Sequence, residues 1–286
     1  MSPDSGCLFI VATPIGNLKD ITFRAVETLK EAGLIAAEDT RRTRKLLSHL
    51  GLKKKIISCN EHNETKKASL IMEHLQKGES VALVSDAGTP GLSDPGARLV
   101  DKVREESFRV IPVPGPSALT AALSVSGFAG KSFYFAGFLP AKPGERVKAL
   151  EKLASIETVI VFFEAPHRLI KSLGDILKVL GDRKAFLARE MTKAHETYLS
   201  ASFSRLMKVL EEKEVKGEIT LVVDARSPEK QAPMDQERLK NVLSCLLRGK
   251  RLPVKEASML LSGLTGIKRG RIYSLALEIN REQKDA

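Results

Sequence analysis

Val81-Ala82-Leu83-Val84-Ser85-Asp86-Ala87-Gly88-Thr89-Pro90-Gly91-Leu92-Ser93-Asp94-Pro95-Gly96 is the stretch on which the fold turns. An apolar strand runs into a loop rich in glycine and proline, and a helix follows. Glycine permits positive φ and close backbone approach, while proline fixes φ and reduces the freedom lost on binding. Such a loop presents backbone groups to a ligand in a preset shape. It also stands at the carboxyl end of a strand, where open α/β sheets gather their ligands. Two further loops follow strands in the same way, Thr13-Pro14-Ile15-Gly16-Asn17 and Pro112-Val113-Pro114-Gly115-Pro116-Ser117. Each alone reads as a connector; together they form the rim of a pocket.

Outward from this stretch, apolar runs at 8–12, 34–37, 56–59, 81–85 and 110–113 alternate with amphipathic segments of helix length, the pattern of an α/β domain. The first helix is predicted with Asp20 as N-cap, with Val26, Leu29 and Ala32 on one face and Gly33 after its end. A second ends at Gly51, and a third carries an apolar stripe of Ala68, Ile71, Met72 and Leu75. From 117 the pattern restarts with a helix over 117–126 and strands at 133–138, 158–162, 184–188, 197–200 and 219–223. Residues 224–233 read as a linker containing Pro228 and Pro233. Three helices follow, the second opened by Pro253, with a tight turn at 263–266. The 286 residues exceed what one core usually serves. The expected organisation is an N-terminal α/β domain over 1–117, a second α/β domain over 118–226 that closes a cleft, and a linker with a basic helical appendage over 227–286.

Lysine and arginine number 46 against 35 acidic residues, a net charge of +11, which makes a polyanion the natural partner. Residues 231–286 hold eleven basic residues against six acidic ones, with Lys268, Arg269 and Arg271 clustered before the last helix. Cys7, Cys59 and Cys245 are odd in number and form no CxxC pair, which points to a reducing compartment, the cytoplasm, and away from a thiolate zinc site. The five histidines include no HxxxH pair, and the cluster Glu61-His62-Asn63-Glu64 reads as a solvated loop, so no metal is expected. No secretory or membrane-spanning segment is expected. GxGxxG and GxSxG are both absent, and Gly130-Lys131-Ser132 lacks the earlier glycine of a phosphate loop, because Val125 stands there. The three loops are poor in lysine and arginine and rich in backbone and small hydroxyl groups. They suit a ligand with adenosine and amino acid parts, such as a sulfonium donor.

The loops at 13–18 and 86–96, with Pro114-Gly115-Pro116-Ser117-Ala118, resemble the donor-binding loops of the tetrapyrrole methylase superfamily. Glu38-Asp39-Thr40-Arg41, Glu164-Ala165-Pro166-His167-Arg168, Ala188-Arg189-Glu190-Met191-Thr192-Lys193 and His195-Glu196 resemble the branch of it whose bacterial members methylate the 2′ oxygen of a cytidine in small-subunit ribosomal RNA. The resemblance runs from Leu8 to about Val223; Met191 stands where leucine is expected, a swap of similar volume. It implies two α/β domains with S-adenosylmethionine in the cleft between them, ribosomal RNA in the small subunit as partner, and a homodimer whose interface the sequence does not locate.

By the same resemblance Pro14, Ile15, Asp86, Ala87, Thr89, Ser117 and Ala118 contact the donor from the first domain, and Phe163, Glu164 and Ile219 close over it from the second. A base that accepts the hydroxyl proton is sought among Glu164, His167, Glu190 and His195. Glu164 and Glu190 equally read as ion-pair partners of Arg168 or Arg189 that position a loop. Arg41, Arg42, Arg44, Arg168 and Arg189, with Lys268, Arg269 and Arg271, are candidate contacts to RNA, against a solvated helix face for the first three. Two alternatives stay open: a methylase of a tetrapyrrole or other small acceptor, which would not need the basic appendage, and an RNA-binding assembly factor without catalysis.

Overall fold

Apolar runs bounded by glycine and polar residues become five parallel strands, β1 (Cys7–Val11), β2 (Leu34–Ala37), β3 (Ile56–Ser58), β4 (Val81–Val84) and β5 (Arg109–Val113), in the order β3-β2-β4-β1-β5. The computed structural model describes residues 6–128, 130, 132–211, 215–225, 236–247, 252–265, 267 and 269–282. The crossovers are α1 (Phe23–Glu31), α2 (Thr40–His49), α3 (Glu64–Gln76) and α4 (Ala97–Glu105). Every residue of β2 and β4 is buried, because helices cover both faces of the sheet. Leu8, Leu34 and Leu83 pack with Ile71, Leu75 and Leu99 on one face; Val11, Ile35 and Val84 pack with Leu29 and Leu47 on the other.

Asp20 does not cap α1 as the sequence suggests. It ends a short 3-10 turn (Leu18–Asp20), and Thr22 is the cap, its Oγ1 accepting from the Ala25 amide at 3.1 Å. Glu64 is likewise no solvated loop residue. It starts α3, is buried, and its Oε1 accepts from the Leu99 amide at 2.7 Å. A buried carboxylate needs such a donor.

The second sheet contains β6 (Phe133–Phe138), β7 (Val159–Glu164), β8 (Lys184–Arg189), β9 (Thr197–Ser202) and β10 (Ile219–Val223) in the order β6-β7-β10-β8-β9. Only β6 and β7 run parallel; the other neighbours are antiparallel. The central β10 is buried throughout, and its first residue, Ile219, lies opposite Glu164 of β7 and Arg189 of β8. Antiparallel pairing therefore brings the start of β10 to the carboxyl ends of its two neighbours. β7 runs past its predicted end to include Phe163 and Glu164. Helices α6 (Pro143–Leu153), α7 (Leu169–Leu180) and α8 (Phe203–Glu211) pack on one face around Phe162, Leu173 and Phe203. α5 (Ala118–Ser126) packs on the other, with Leu119 and Ala122 against Val161, Ala188 and Val222, in a cluster that also takes in Ile15 and Met191.

The chain divides into two compact units, Met1–Ala225 and Arg226–Ala286. The second has its own core of Leu239, Leu243, Leu261, Ile272 and Ala276, contributed by α9 (Gln236–Leu247), α10 (Val254–Thr265) and α11 (Arg269–Glu282). Pro253 precedes α10 as predicted, but no turn begins at Gly263, because α10 runs to Thr265. Most of the predicted linker lies outside the described residues. Among the described residues no helix is long and apolar enough to cross a membrane.

Candidate active site

The loops after β1, β4 and β5 meet. Thr13 and Gly88 exchange two backbone hydrogen bonds of 2.8 and 2.9 Å, and the Thr13 hydroxyl donates to the Ser85 carbonyl at 3.2 Å. The Thr89 hydroxyl donates to the Pro116 carbonyl at 3.3 Å. Three connectors become one rim because each satisfies polar groups of another. Asp86 ties the rim to the start of α2: its Oδ1 accepts from the Asp39 amide at 2.9 Å, its Oδ2 lies 3.5 Å from Arg42 Nε, and its own amide donates to Glu38 Oε2 at 3.3 Å.

The rim faces a cleft of about 370 Å³ whose opposite wall is the carboxyl end of β7 and the start of β10. Phe163 stands there, held edge-on by Phe135 at 5.0 Å and tilted against Phe138 at 5.6 Å. Glu164 beside it has a side chain only 3% exposed. Its Oε1 accepts from the Ala165 amide at 2.8 Å and from Nε of Arg168. Its Oε2 is buried with no partner among the described residues, which costs free energy unless something brings an N–H or O–H to it. The first amides of α5 also stand at the cleft; Ser117 caps that helix without a side-chain hydrogen bond.

Behind this wall a left-handed loop joins the two lobes. Glu190 (φ +54°) and Thr192 (φ +66°) hold conformations that non-glycine residues seldom adopt. Glu190 Oε1 accepts from Lys193 Nζ at 2.7 Å and from the Glu218 amide at 2.9 Å. Gly217 (φ +91°) passes so close that a Cβ there would stand 2.3 Å from Glu190 Cδ. On the other side the Asn17 amide donates to the Thr192 hydroxyl at 3.0 Å, and a Cβ on Gly16 would meet Thr192 Oγ1 at 2.7 Å. The loop thus fixes both Gly217–Thr220, which line the cleft, and the segment next to Ile15, which also lines it.

Of the residues expected to hold a donor, Ile15, Asp86, Ala87, Thr89, Ser117, Ala118, Phe163, Glu164 and Ile219 all line this cleft; Pro14 does not. Of the expected bases, only Glu164 reaches it. His167 sits in the 3-10 turn after β7, Glu190 is engaged by Lys193 and the Glu218 amide, and the His195 carbonyl accepts from Arg189 at 3.3 Å. Arg168 is held by Glu164, and Arg189 braces the carbonyls of Lys216 and His195 and the Thr197 hydroxyl. Arg41 chelates Asp39, Arg42 lines the cleft, and Arg44 lies in a separate groove with Lys53 and Lys54. Arg269 and Arg271 are exposed on α11; Lys268 lies outside the described residues.

The sequence reading missed the acidity of the cleft. Glu38, Asp86, Asp94, Glu164 and Glu218 line it, with Arg42 as the one basic lining residue among those described. Burial raises the pKa of Glu38, with the charge of Asp86 adding to the rise. Burial, then the charge of Glu38, pushes Asp94 up to about 6. Glu190 moves the other way: burial raises it, but Lys193, the Glu218 amide and Arg189 outweigh that, and its pKa falls. Proximity of carboxylates from distant segments leaves no local mark in a sequence. Among the described residues no group of three or more His, Cys, Asp or Glu side chains is arranged to hold a metal.

Residues 7–207 match the family of tetrapyrrole (corrin/porphyrin) methylases. A protein of Neisseria meningitidis serogroup A named ribosomal RNA small subunit methyltransferase I is 44% identical over 274 residues, covering 95% of this chain and 93% of the relative. Its namesake in Escherichia coli O157:H7 is 44% identical over 277 residues, covering 96% and 95%. The namesake in Thermotoga maritima is 50% identical over 221 residues, which cover 77% of this chain and 99% of the relative. Among solved structures, the methyltransferase CobJ superposes with a TM-score of 0.60 at 19% identity, over 78% of this chain and 95% of that one. Uroporphyrin-III C-methyl transferase from Thermus thermophilus, complexed with S-adenosyl homocysteine, superposes with a TM-score of 0.55 at 18% identity, over 77% and 97%.

Proposed function

The chain belongs to the tetrapyrrole (corrin/porphyrin) methylase family, and on that premise we propose that it is an S-adenosylmethionine-dependent methyltransferase of small-subunit ribosomal RNA, acting on the 2′ oxygen of a cytidine. The observation that carries the reading is near-complete alignment, at 44% identity, with relatives named for that RNA. The donor is supported by the family, by the S-adenosyl homocysteine complex of the Thermus thermophilus enzyme, and by the chemistry of the cleft. The buried Glu164 Oε2, unpartnered among the described residues, calls for a hydrogen-bond donor, which S-adenosylmethionine carries on its ribose, exocyclic amine and ammonium. Ile15, Leu119, Phe163 and Ile219 offer apolar surface for an adenine, and the carboxylates favour a ligand that is cationic at sulfur and nitrogen.

When bound, the donor supplies an electrophilic methyl group on positively charged sulfur. The protein's part is to hold donor and acceptor oxygen in line, for which a rim stiffened by reciprocal backbone hydrogen bonds is suited. Asp86, itself oriented by the Asp39 amide and Arg42, would fix one end; Glu164, oriented by Arg168 and the Ala165 amide, would fix the other. Carboxylates close to sulfur also oppose its loss of charge on transfer, so they serve best at the distal groups of the donor.

The same reading assigns residues 1–117 and 118–226 to the two lobes, with α5 going to the second, and residues 227–286 to a basic appendage. Arg269 and Arg271, with Lys268, would meet RNA phosphates there, and Arg41, Arg42 and Arg44 in the first lobe. It also places the protein in the cytoplasm as a homodimer. The test is to map ribose methylation of small-subunit RNA in a deletion strain. One cytidine 2′-O-methyl group should vanish and return on complementation. An unchanged RNA together with methylation of a corrin or porphyrin precursor would overturn the reading.

A further inference from the structure

We infer that Asp94 takes the proton of the acceptor hydroxyl, from a nucleotide seated in the polar groove that Asp94 separates from the donor cleft. The inference deepens the reading above and rests on it. A second cavity, of about 510 Å³, adjoins the cleft, and Glu38, Ser93 and Asp94 line both. A hydroxyl that attacks the methyl group has to arrive from a space continuous with the donor site, and this groove is such a space. Asn60, His62 and Arg98 line its other sides. They offer amide and imidazole groups to a base or sugar and an exposed guanidinium to a phosphate.

Other carboxylates at the cleft are held by backbone amides or guanidinium groups, whereas Asp94 is held only by the Ser85 hydroxyl, which lowers its pKa by less than burial raises it. Asp86 uses one oxygen on the Asp39 amide and the other on Arg42. Glu164 is paired with Arg168, and Glu38 Oε2 accepts from the Asp86 amide. Asp94 has no ion-pair partner among the described residues, and its carboxyl is pushed up to about 6 by burial and by Glu38. It is therefore a stronger base than an ordinary carboxylate and still ionised at neutral pH, the combination that favours proton acceptance. On its own side the charged neighbours are Glu38, Asp86 and Arg42. Glu61, His62, Glu64 and Arg98 stand around the groove, and Glu164 and Glu218 across the cleft.

In the step, the O–H bond breaks and its proton passes to an Asp94 oxygen. The oxygen's electron pair forms the new bond to the methyl carbon, and the pair of the carbon–sulfur bond returns to sulfur, leaving a neutral thioether. Asp94 then loses its proton to water through the open groove.

The experiment is single-turnover methyl transfer to undermethylated small ribosomal subunits, at saturating enzyme and donor, followed across about pH 5 to about pH 8. The wild-type rate should climb with pH along one limb with its midpoint near 6. D94N should be slower by roughly 100-fold and should lack the limb. E38Q removes the charge that helps hold Asp94 protonated, so its limb should move to lower pH, a shift that a merely structural role would not produce. A D94N profile that keeps the limb, an E38Q limb that does not move, or a wild-type rate flat across the range would each overturn the role of Asp94. The last two hold even if D94N fails to fold. Wild-type protein that transfers no methyl to subunits would instead overturn the ribosomal reading and this inference together.

Discussion

Burial, and then the charge of Glu38, pushes the Asp94 carboxyl from an ordinary 3.8 up to about 6 in the folded protein. Between those values the folded state retains a proton that the unfolded chain has released, so stability falls as pH rises through that window. Above it the fold carries a charge it would be more stable without. D94N removes the charge, so we expect it to melt above wild type at about pH 7.5 and together with it at about pH 4, as differential scanning calorimetry would show. A residue that lowers stability at working pH is one kept for another reason. At Glu164, replacement by glutamine keeps the volume but puts an amide where the buried carboxylate meets Arg168 and the cleft. Loss of a charged hydrogen bond of about 1.5–3 kcal/mol corresponds to roughly 10- to 150-fold weaker donor binding, measurable by calorimetric titration. Glu164 was legible as a cleft residue from its motif; that one oxygen is tied and the other unpartnered among the described residues was not, because this depends on the turn that brings Arg168 back upon it.

Among the elements, the strands of the first lobe were legible, since short apolar runs between glycine and polar turns have few other readings. The end of α1 was legible too, but its start was not: Asp20 and Thr22 are both good caps, and the 3-10 turn that decides between them leaves no clear sequence signal. The loop from Glu190 to Lys193 was visible as a motif and invisible as a brace, because nothing in a Glu-Met-Thr sequence announces two left-handed residues. Its function in the fold can be tested through its neighbour. Gly217→Ala adds a Cβ that would collide with Glu190 at a backbone angle alanine adopts only with strain. We expect a loss of about 1–3 kcal/mol in urea unfolding. Donor affinity should fall as well, since Gly217–Thr220 line the cleft. An unaltered affinity with reduced stability would confine the loop to a structural role.

For the whole molecule, the two units have separate cores, and the described residues that line the cleft belong to the first. A Thermotoga maritima relative is matched over 99% of its length by 77% of this chain, so a protein of that name does without about a quarter of what is present here. We expect a chain ending at Ala225 to bind the donor with unchanged affinity by calorimetry. Its methylation of small subunits should depend less steeply on salt, each lost phosphate contact flattening the logarithmic slope by about 0.7–0.9. An unchanged slope would remove Arg269 and Arg271 from the RNA interface. The position of β10 has a different consequence, one concerning time. It is the last strand of the first unit to leave the ribosome during synthesis, yet it belongs in the middle of its sheet, between β7 and β8. Until it emerges, those strands hold an open slot with unpaired edges, exposed to pairing with other nascent chains. Arrest of translation before Ile219 would therefore release an aggregation-prone fragment instead of a weakened enzyme.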